Sequence, residues 1–381
     1  MLLSARETAE RLGIKLDTVY AYVSRGLLRS VEVADSRERH YDADDVERFR
    51  VTRGGAKGAR QAEALMPVIP STICLIENHR FYYRGEDALA LADTATLEQV
   101  AGLLWQDAPP AVAAPRRSAL EVPGLIERCQ ARLAQLAAGD YAALDLTRGG
   151  IARTGGLILG ELAACLGAAG PGFQPVDERL AALWKLGPKG RDVVRRALVL
   201  LADHELNAST FVARCVASTG ATPYAVVSAA LAALSGRRHG GASVRTEALC
   251  QALGEGDPLA VMAARLARGE DLPGVGHPLY PEGDPRAAAL FAAVKTAVPE
   301  KADWADRIVD AVVQLTGKQP NVDFGLGVAT VALGLPQGAA LSLFLVARSV
   351  GWIAHAIEQY ESGVLIRPRA RYTGQRRSAG V

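Results

Sequence analysis

Beyond about Ser71 the chain repeats alanine and leucine at three- and four-residue spacing for most of its length, with glycine and proline as punctuation. That period lays apolar side chains along one face of a helix, where a half-buried strand would need strict alternation. Only "STICLIENHRFYYRGEDALALADTATLEQVAGLLW", at the head of this region, holds a short β-like piece before it turns helical. The fold class to expect is therefore mainly α. With 381 residues there is material for one large domain or two to three ordinary ones.

Bulk composition narrows the setting. A chain that is 49% hydrophobic and 22% charged has ample core and a globular balance. The longest apolar runs, such as "GLPQGAALSLFLVA", are broken by Pro, Gln and Gly, so no membrane span is expected. The start, "MLLSARETAERLG", carries charges every few residues and lacks the apolar stretch of a signal peptide. Five scattered cysteines, without C-x-x-C spacing, suit a reducing cytoplasm and argue against disulfides or a zinc site. A net charge of +2 names no partner. There is no phosphate loop, no G-x-G-x-x-G after a strand and no H-E-x-x-H, and "DFG" at 323–325 lacks every other kinase element.

Residues 1–53 differ in character. "SARETAERLG" opens with a Ser-x-x-Glu capping box that starts a helix at Ser4, with Gly13 as its stop. In "LDTVYAYVSRGLL" Asp17 is a candidate cap, Val19, Tyr20 and Val23 form a face, and Gly26 ends the helix. With "RSVEVADSRERHYDADDVERFR" behind them, these read as helix-turn-helix, β-wing and a further helix. The stretch resembles the DNA-binding head of MerR-like regulators, which implies a recognition helix over about Asp17 to Arg25. Ten Lys and Arg against ten Asp and Glu leave it neutral, so phosphate binding requires its arginines on one face. Residues 54–70, rich in Gly and charge, read as a linker.

Six histidines are present, and three sit where core packing does not ask for them. In "LADHELNASTF", read as helical, His204 and Asn207 are three apart and share a face. In "LSGRRHGGAS" His239 precedes Gly240 and Gly241, a pair that lets backbone approach a ligand closely. In "GVGHPLYPEGDPRAAAL" Pro278 stiffens the loop that carries His277, and Asp284-Pro285-Arg286 reads as a turn presenting a guanidinium. Asp323, between Val322 and Phe324, has a setting that raises a carboxyl pKa by desolvation. Arg348 lies in an apolar helix and should meet an anion, while Arg367 and Arg369 occupy a Pro-bracketed tail. Together these suit joining a carbon acid to a carbonyl in a substrate bearing carboxylates.

"DHELNAS", "HGGA", "GHPLYPEGDPR", "NVDF" and "RPRARYTG" stand in an order and at spacings by which residues 71–381 resemble citrate synthase of the dimeric, type I-like kind. The resemblance implies an all-α homodimer with a large domain, residues 71–240 and 338–381, and a small domain, residues 241–337. It implies an acyltransferase of the tricarboxylic acid cycle that condenses acetyl-CoA with oxaloacetate and water to citrate and CoA. Asp323 would be the base, His239 the donor to the thioester oxygen, and His277 the group polarising the ketone. His204, Asn207, Arg286 and Arg348 would bind oxaloacetate, with Arg367 reaching over from the partner subunit. Acetyl-CoA would come and go as co-substrate, with no permanently bound cofactor, metal or membrane partner. Where family members carry basic residues in the His277 loop this chain has Pro278 and Pro281, so the coenzyme grip would fall to Lys318 or Arg237. Two alternatives stay open. One is 2-methylcitrate synthesis from propionyl-CoA; the other is a metabolite-sensing regulator that binds DNA through residues 1–53.

Overall fold

A reciprocal cap opens the described chain. The Ser4 N–H donates to Glu7 Oε2 at 2.7 Å and the Glu7 N–H donates to Ser4 Oγ at 3.3 Å, which satisfies two orphan donors of a helix start. The structure is a computed structural model and describes residues 2–12, 14–24, 28, 30–31, 39–43, 45–46, 68–112, 122–168, 170, 174–254, 256–370 and 374. It divides into two units, Met1–Pro70 and Ser71–Val381.

In the first unit β1 (Leu2–Ser4) leads into α1 (Ala5–Leu12), followed by α2 (Leu16–Ser24) and β2 (His40–Asp42). β1 pairs antiparallel with β2, Leu3 opposite Tyr41, and Val31 bridges to His40. Leu3, Ala9, Leu12, Val19, Leu28, Tyr41 and Val46 form its small core. Two details differ from the sequence reading. Leu2–Ser4 is a strand, too short to show alternation, and Asp17 lies inside the first turn of α2 instead of capping it. Gly13, Arg25, Gly26, wing residues 32–38 and most of the linker lie outside the described residues.

The second unit begins with three strands where the sequence suggested one short piece. β3 (Cys74–Glu77), β4 (Arg80–Tyr83) and β5 (Glu86–Asp87) pair antiparallel in that order. Helices follow without interruption by sheet: α3 (Ala88–Thr94), α4 (Leu97–Trp105), α5 (Leu125–Ala137), α6 (Arg148–Cys165), α7 (Val176–Leu183) and α8 (Pro188–Leu201). Then come α9 (Ala208–Ala217), α10 (Pro223–Leu234), α11 (Gly240–Leu253), α12 (Pro258–Ala267) and α13 (Pro285–Ala297). The last three are α14 (Ala302–Thr316), α15 (Val322–Ala332) and α16 (Ala339–Ser362). Mainly α is the observed class.

Two apolar cores hold these helices. The larger draws on β3 and β4, α3 to α10 and α16, with Trp105 and Trp352 fully buried in it. The second, around Cys250, Met262, Phe291, Trp304, Ile308 and Phe324, joins α11 to α15. Glu247 of α11 links them, accepting the Gly338 and Ala340 N–H groups at 2.7 and 3.2 Å and so capping α16. α16 corrects one expectation: at 24 residues it is long and apolar enough to cross a membrane. It is apolar along most of its length because core surrounds it there, and most of its residues are buried.

Tight packing around α16 fixes one of its residues. A Cβ on Gly351 would lie 2.4 Å from both the Ala202 carbonyl oxygen and Asp203 Oδ1. Gly351→Ala should therefore lower stability by about 1–3 kcal/mol through overpacking, read as an earlier midpoint in urea unfolding.

Candidate active site

The loop between α8 and α9 carries the first histidine, and it is not helical. The Asp203 carboxylate accepts the Glu205 N–H at 3.1 Å, Glu205 turns through φ 52°, and Asn207 caps α9 by accepting the Thr210 N–H at 3.0 Å. Short-range side-chain bonds of this kind compete with helix continuation, which is why helical spacing misplaced Asn207. Its oxygen serves the cap and accepts the Ser209 hydroxyl at 2.9 Å. His204 itself is buried, its Nε2 2.9 Å from the Tyr280 hydroxyl and its ring 5.2 Å from that of His277, at 90°. Burial, and then the charges of Arg286 and Arg348, hold its pKa well below the usual imidazole value.

His277 is aimed by backbone. The Gly276 N–H donates to Gln319 O at 2.8 Å and Asn321 Nδ2 donates to Gly276 O at 3.0 Å, pinning the loop to the segment before α15. The Leu279 N–H donates to His277 Nδ1 at 3.2 Å, so Nδ1 is an acceptor and the neutral ring keeps its proton on Nε2. Burial and Arg286 lower its pKa, which favours that neutral form. Tyr280 packs its ring 5.2 Å from His277 and 5.8 Å from the Arg286 guanidinium. Asp284-Pro285-Arg286 is not a free turn. Asp284 is the N-cap of α13, and the buried Arg286 folds back onto it, Nε to Oδ1 at 2.9 Å and Nη2 to Oδ2 at 2.8 Å.

His239 is the N-cap residue of α11, with Nε2 2.8 Å from Ser209 Oγ. Gly240 is required because a Cβ there would stand 2.6 Å from the Leu234 carbonyl oxygen. The close approach is thus to the chain's own backbone, where the sequence suggested a ligand. Burial, then Arg348, lowers the His239 pKa to about 4. Trp352 Nε1–H donates to Ser209 Oγ at 3.1 Å, and an indole N–H can only donate. The single Ser209 proton can reach Asn207 Oδ1 at 2.9 Å or, in the other rotamer, His239 Nε2 at 2.8 Å. In that rotamer His239 carries its own proton on Nδ1.

Arg348 and Asp323 complete the cluster. Arg348 is 1% exposed, its Nε donates to Leu201 O at 2.8 Å, and its guanidinium lies 4.9 Å from the Phe344 ring centre. Its Nη1 is buried with no partner among the described residues, and its charge acts on His204, His239 and Asp323 alike. Asn321 caps α15, leaving Asp323 in the first turn with its carboxylate hydrogen-bonded to the Ser243 hydroxyl. Burial raises the Asp323 pKa; Ser243, Arg286 and Arg348 partly counter it.

Three predicted residues lie apart. Arg367 is exposed on the extended segment after α16, and Arg237 is exposed at the turn before His239. Lys318 is exposed too, its chain beside Gly276. A cavity of about 660 Å³ between α3, α8 and α13 is lined by Leu89, Lys189, Ala288 and Ala292 but by none of the imidazoles, so the chemistry does not lie there. Sequence reasoning missed Ser209, Tyr280 and Trp352. Tyr280 lay inside a stretch already singled out, but nothing in the sequence joins Trp352 to Ser209 across 143 positions.

The chain resembles known proteins in sequence and in fold. Residues 172–369 match the model of the citrate synthase C-terminal domain, and residues 3–54 match that of MerR HTH family regulatory proteins. Citrate synthase 2 of Bacillus subtilis is 39% identical over 191 residues, 48% of this chain and 51% of that protein. 2-Methylcitrate synthase 2 of Corynebacterium glutamicum is 34% identical over 186 residues, 47% and 49%. The chain thus spans about half the length of the curated relatives it matches. The crystal structure of citrate synthase from Thermotoga maritima superposes with a TM-score of 0.64 at 25% identity, over 83% of this chain and 96% of that one. Citrate synthase of Thermoplasma acidophilum, in ternary complex with carboxymethyl coenzyme A and oxaloacetate, gives 0.69 over 83% and 96%; at 23% identity it speaks to the fold. Because the matched domain takes in just over half of the 381 residues, His204 through Arg367 included, the chain belongs to the citrate synthase family.

Proposed function

We propose that this chain condenses acetyl-CoA with oxaloacetate and water, releasing citrate and CoA. The observation that carries the reading is the unpartnered Nη1 of the buried Arg348, within the electrostatic reach of two neutral imidazoles and a buried carboxylate. A buried cation with a spare donor calls for a carboxylate. In this reading Arg348, Arg286 and His204 hold the two carboxylates of oxaloacetate, and His277 Nε2–H polarises its ketone.

Asp323 then takes the α-proton of the acetyl group while His239 Nδ1–H donates to the thioester oxygen. An ordinary aspartate, pKa about 3.9, is too weak to form a free enolate. Burial makes Asp323 a stronger base, and the imidazole donor spreads the developing charge. The nucleophilic carbon attacks the ketone carbon, the ketone oxygen gains a proton, and water cleaves the resulting thioester to citrate and CoA. Two separate apolar cores support a large domain of residues 71–240 and 338–381 closing on a small one of 241–337. In this reading the exposed Lys318 and Arg237 hold coenzyme phosphates, and the exposed Arg367 completes the site of a partner subunit in a homodimer. Five free thiols accord with a cytoplasmic setting. Relatives of both names keep propionyl-CoA as the alternative donor, since one methylene in a pocket is worth only about 1–3 kcal/mol. The match over residues 3–54 supports DNA binding as a second role of the same chain.

Five measurements check these readings. Steady-state thiol release with oxaloacetate should show turnover with acetyl-CoA or propionyl-CoA, and none with either would overturn it. His239→Ala should lower turnover roughly 100-fold or more. Asp323→Asn should also abolish turnover, yet unfold no earlier than the parent at pH 7. The raised pKa means the ionised carboxylate disfavours the fold above the unfolded pKa, and this difference should vanish as pH falls below it. Arg367→Ala mixed with Asp323→Asn should recover partial activity, because a hybrid dimer would retain one intact site; no recovery would rule out sharing across the interface. If residues 1–53, neutral in sum, bind duplex DNA, a gel shift should weaken steeply between about 50 and 200 mM salt.

A further inference from the structure

The condensation as written gives Asp284 no task, yet its carboxylate is one of the most heavily bonded groups near the site. Its side chain is fully buried. Oδ1 accepts the Arg286 backbone N–H at 3.0 Å and Nε–H at 2.9 Å. Oδ2 accepts Arg286 Nη2–H at 2.8 Å and the Val322 N–H at 3.0 Å. Val322 is the first residue of α15, one position before Asp323. One carboxylate therefore reaches both the proposed anchor of oxaloacetate and the backbone that presents the proposed base, across 38 positions of sequence.

Capping α13 does not explain this. A cap needs only Oδ1 and the Arg286 N–H, and asparagine caps about as well as aspartate. The second oxygen serves a different purpose. By engaging Nε and Nη2 as a fork it fixes the guanidinium plane and leaves Nη1 as the unengaged end for a ligand.

We propose that Asp284 is a positioning residue that sets Arg286 and Asp323 in register, orienting the guanidinium by the two-pronged contact and the base through the Val322 N–H. This rests on the condensation reading for what the two residues do. Four neighbouring groups bear on Asp323: the Ser243 hydroxyl from α11, Asp284 and Arg286 at the start of α13, and Arg348 from α16. Of these, only Asp284 raises its pKa. Neutralising Asp284 removes that negative charge and leaves Arg286 uncompensated, and both changes move the Asp323 pKa down.

The test compares the full chain with Asp284→Asn and Asp284→Glu. Asp284→Asn keeps the cap but loses an acceptor and the charge. Its KM for oxaloacetate should rise at least tenfold, and the acid limb of kcat should move to lower pH. Asp284→Glu keeps the charge and displaces the fork, so KM should rise while the acid limb stays. A folded Asp284→Asn with the parent's KM and acid limb overturns the proposal. So does failure of both variants to fold, which would make Asp284 a folding residue only. Should the unmodified chain lack turnover, the condensation reading fails separately. Calorimetric titration with oxaloacetate then reads the Arg286 half: binding at least tenfold weaker in Asp284→Asn upholds it, and equal affinity, or no binding by the parent, overturns it.

Discussion

Burying a guanidinium without a full set of partners is the constraint around which this site is built. Arg286 is 2% exposed and Arg348 1%. Taking such a cation out of water costs several kcal/mol even after relaxation, unless charge and hydrogen bonds compensate. Arg286 is compensated inside the chain by the Asp284 fork. Arg348 is not: it has one carbonyl, the face of Phe344 and the field of Asp203, and its Nη1 donates to nothing among the described residues. A carboxylate would supply what Arg348 lacks, and a site already holding that deficit before an anion arrives is preorganised for it.

The same field explains the histidines. His204 is buried and His239 and His277 are half-buried, each near Arg286, Arg348 or both, and all three have lowered pKa values. Each is therefore neutral near pH 7 and able to present one N–H donor and one acceptor. For His277 the Leu279 N–H selects which nitrogen is which. For His239 the choice turns on whether Ser209 gives its one proton to His239 or to Asn207. Lowering the imidazole pKa values and raising that of Asp323 have one common cause, desolvation, acting on groups of opposite charge type.

Much of this was legible in the chain itself, for identifiable reasons. Helical period survives translation into structure because it reports a local geometry, so α3 to α16 were visible as a class. Asp323 and Arg348 stood out against apolar neighbours, and His239 and His277 because glycine or proline beside them broke the helical pattern. Loop 202–207 was misread for the opposite reason: Asp203, Glu205 and Asn207 use side-chain and left-handed backbone contacts that spacing does not encode. Arg286 was placed correctly in sequence but its partner was not, because a carboxylate two residues away looks like turn chemistry until burial is known. Trp352 was invisible, since its indole bond spans elements far apart in the chain.

His355 illustrates how far behind the site such hidden order extends. Arg214 Nη1 sits 3.2 Å from His355 Nδ1, and a guanidinium can only donate, so His355 keeps its proton on Nε2. That nitrogen lies 3.3 Å from Asp203 Oδ1, on the loop that presents His204, a close contact that is not a hydrogen bond. Arg214 also donates to Glu358 Oε2 at 2.6 Å, and Glu358 Oε1 accepts the Thr72 N–H at 2.8 Å. A line of alternating acid and base thus runs from the first residues of the second unit to the loop under His204. Buried groups in such a line hold one another in place, because displacing one would leave its neighbour's charge or donor unmatched in a medium of low dielectric. The loop that spacing alone would have made helical is irregular, yet it is fixed from below by three buried side chains, Asp203, His355 and Arg214. An imidazole held 2.9 Å from the Tyr280 hydroxyl and against the ring of His277 needs that rigidity, which a free loop cannot supply.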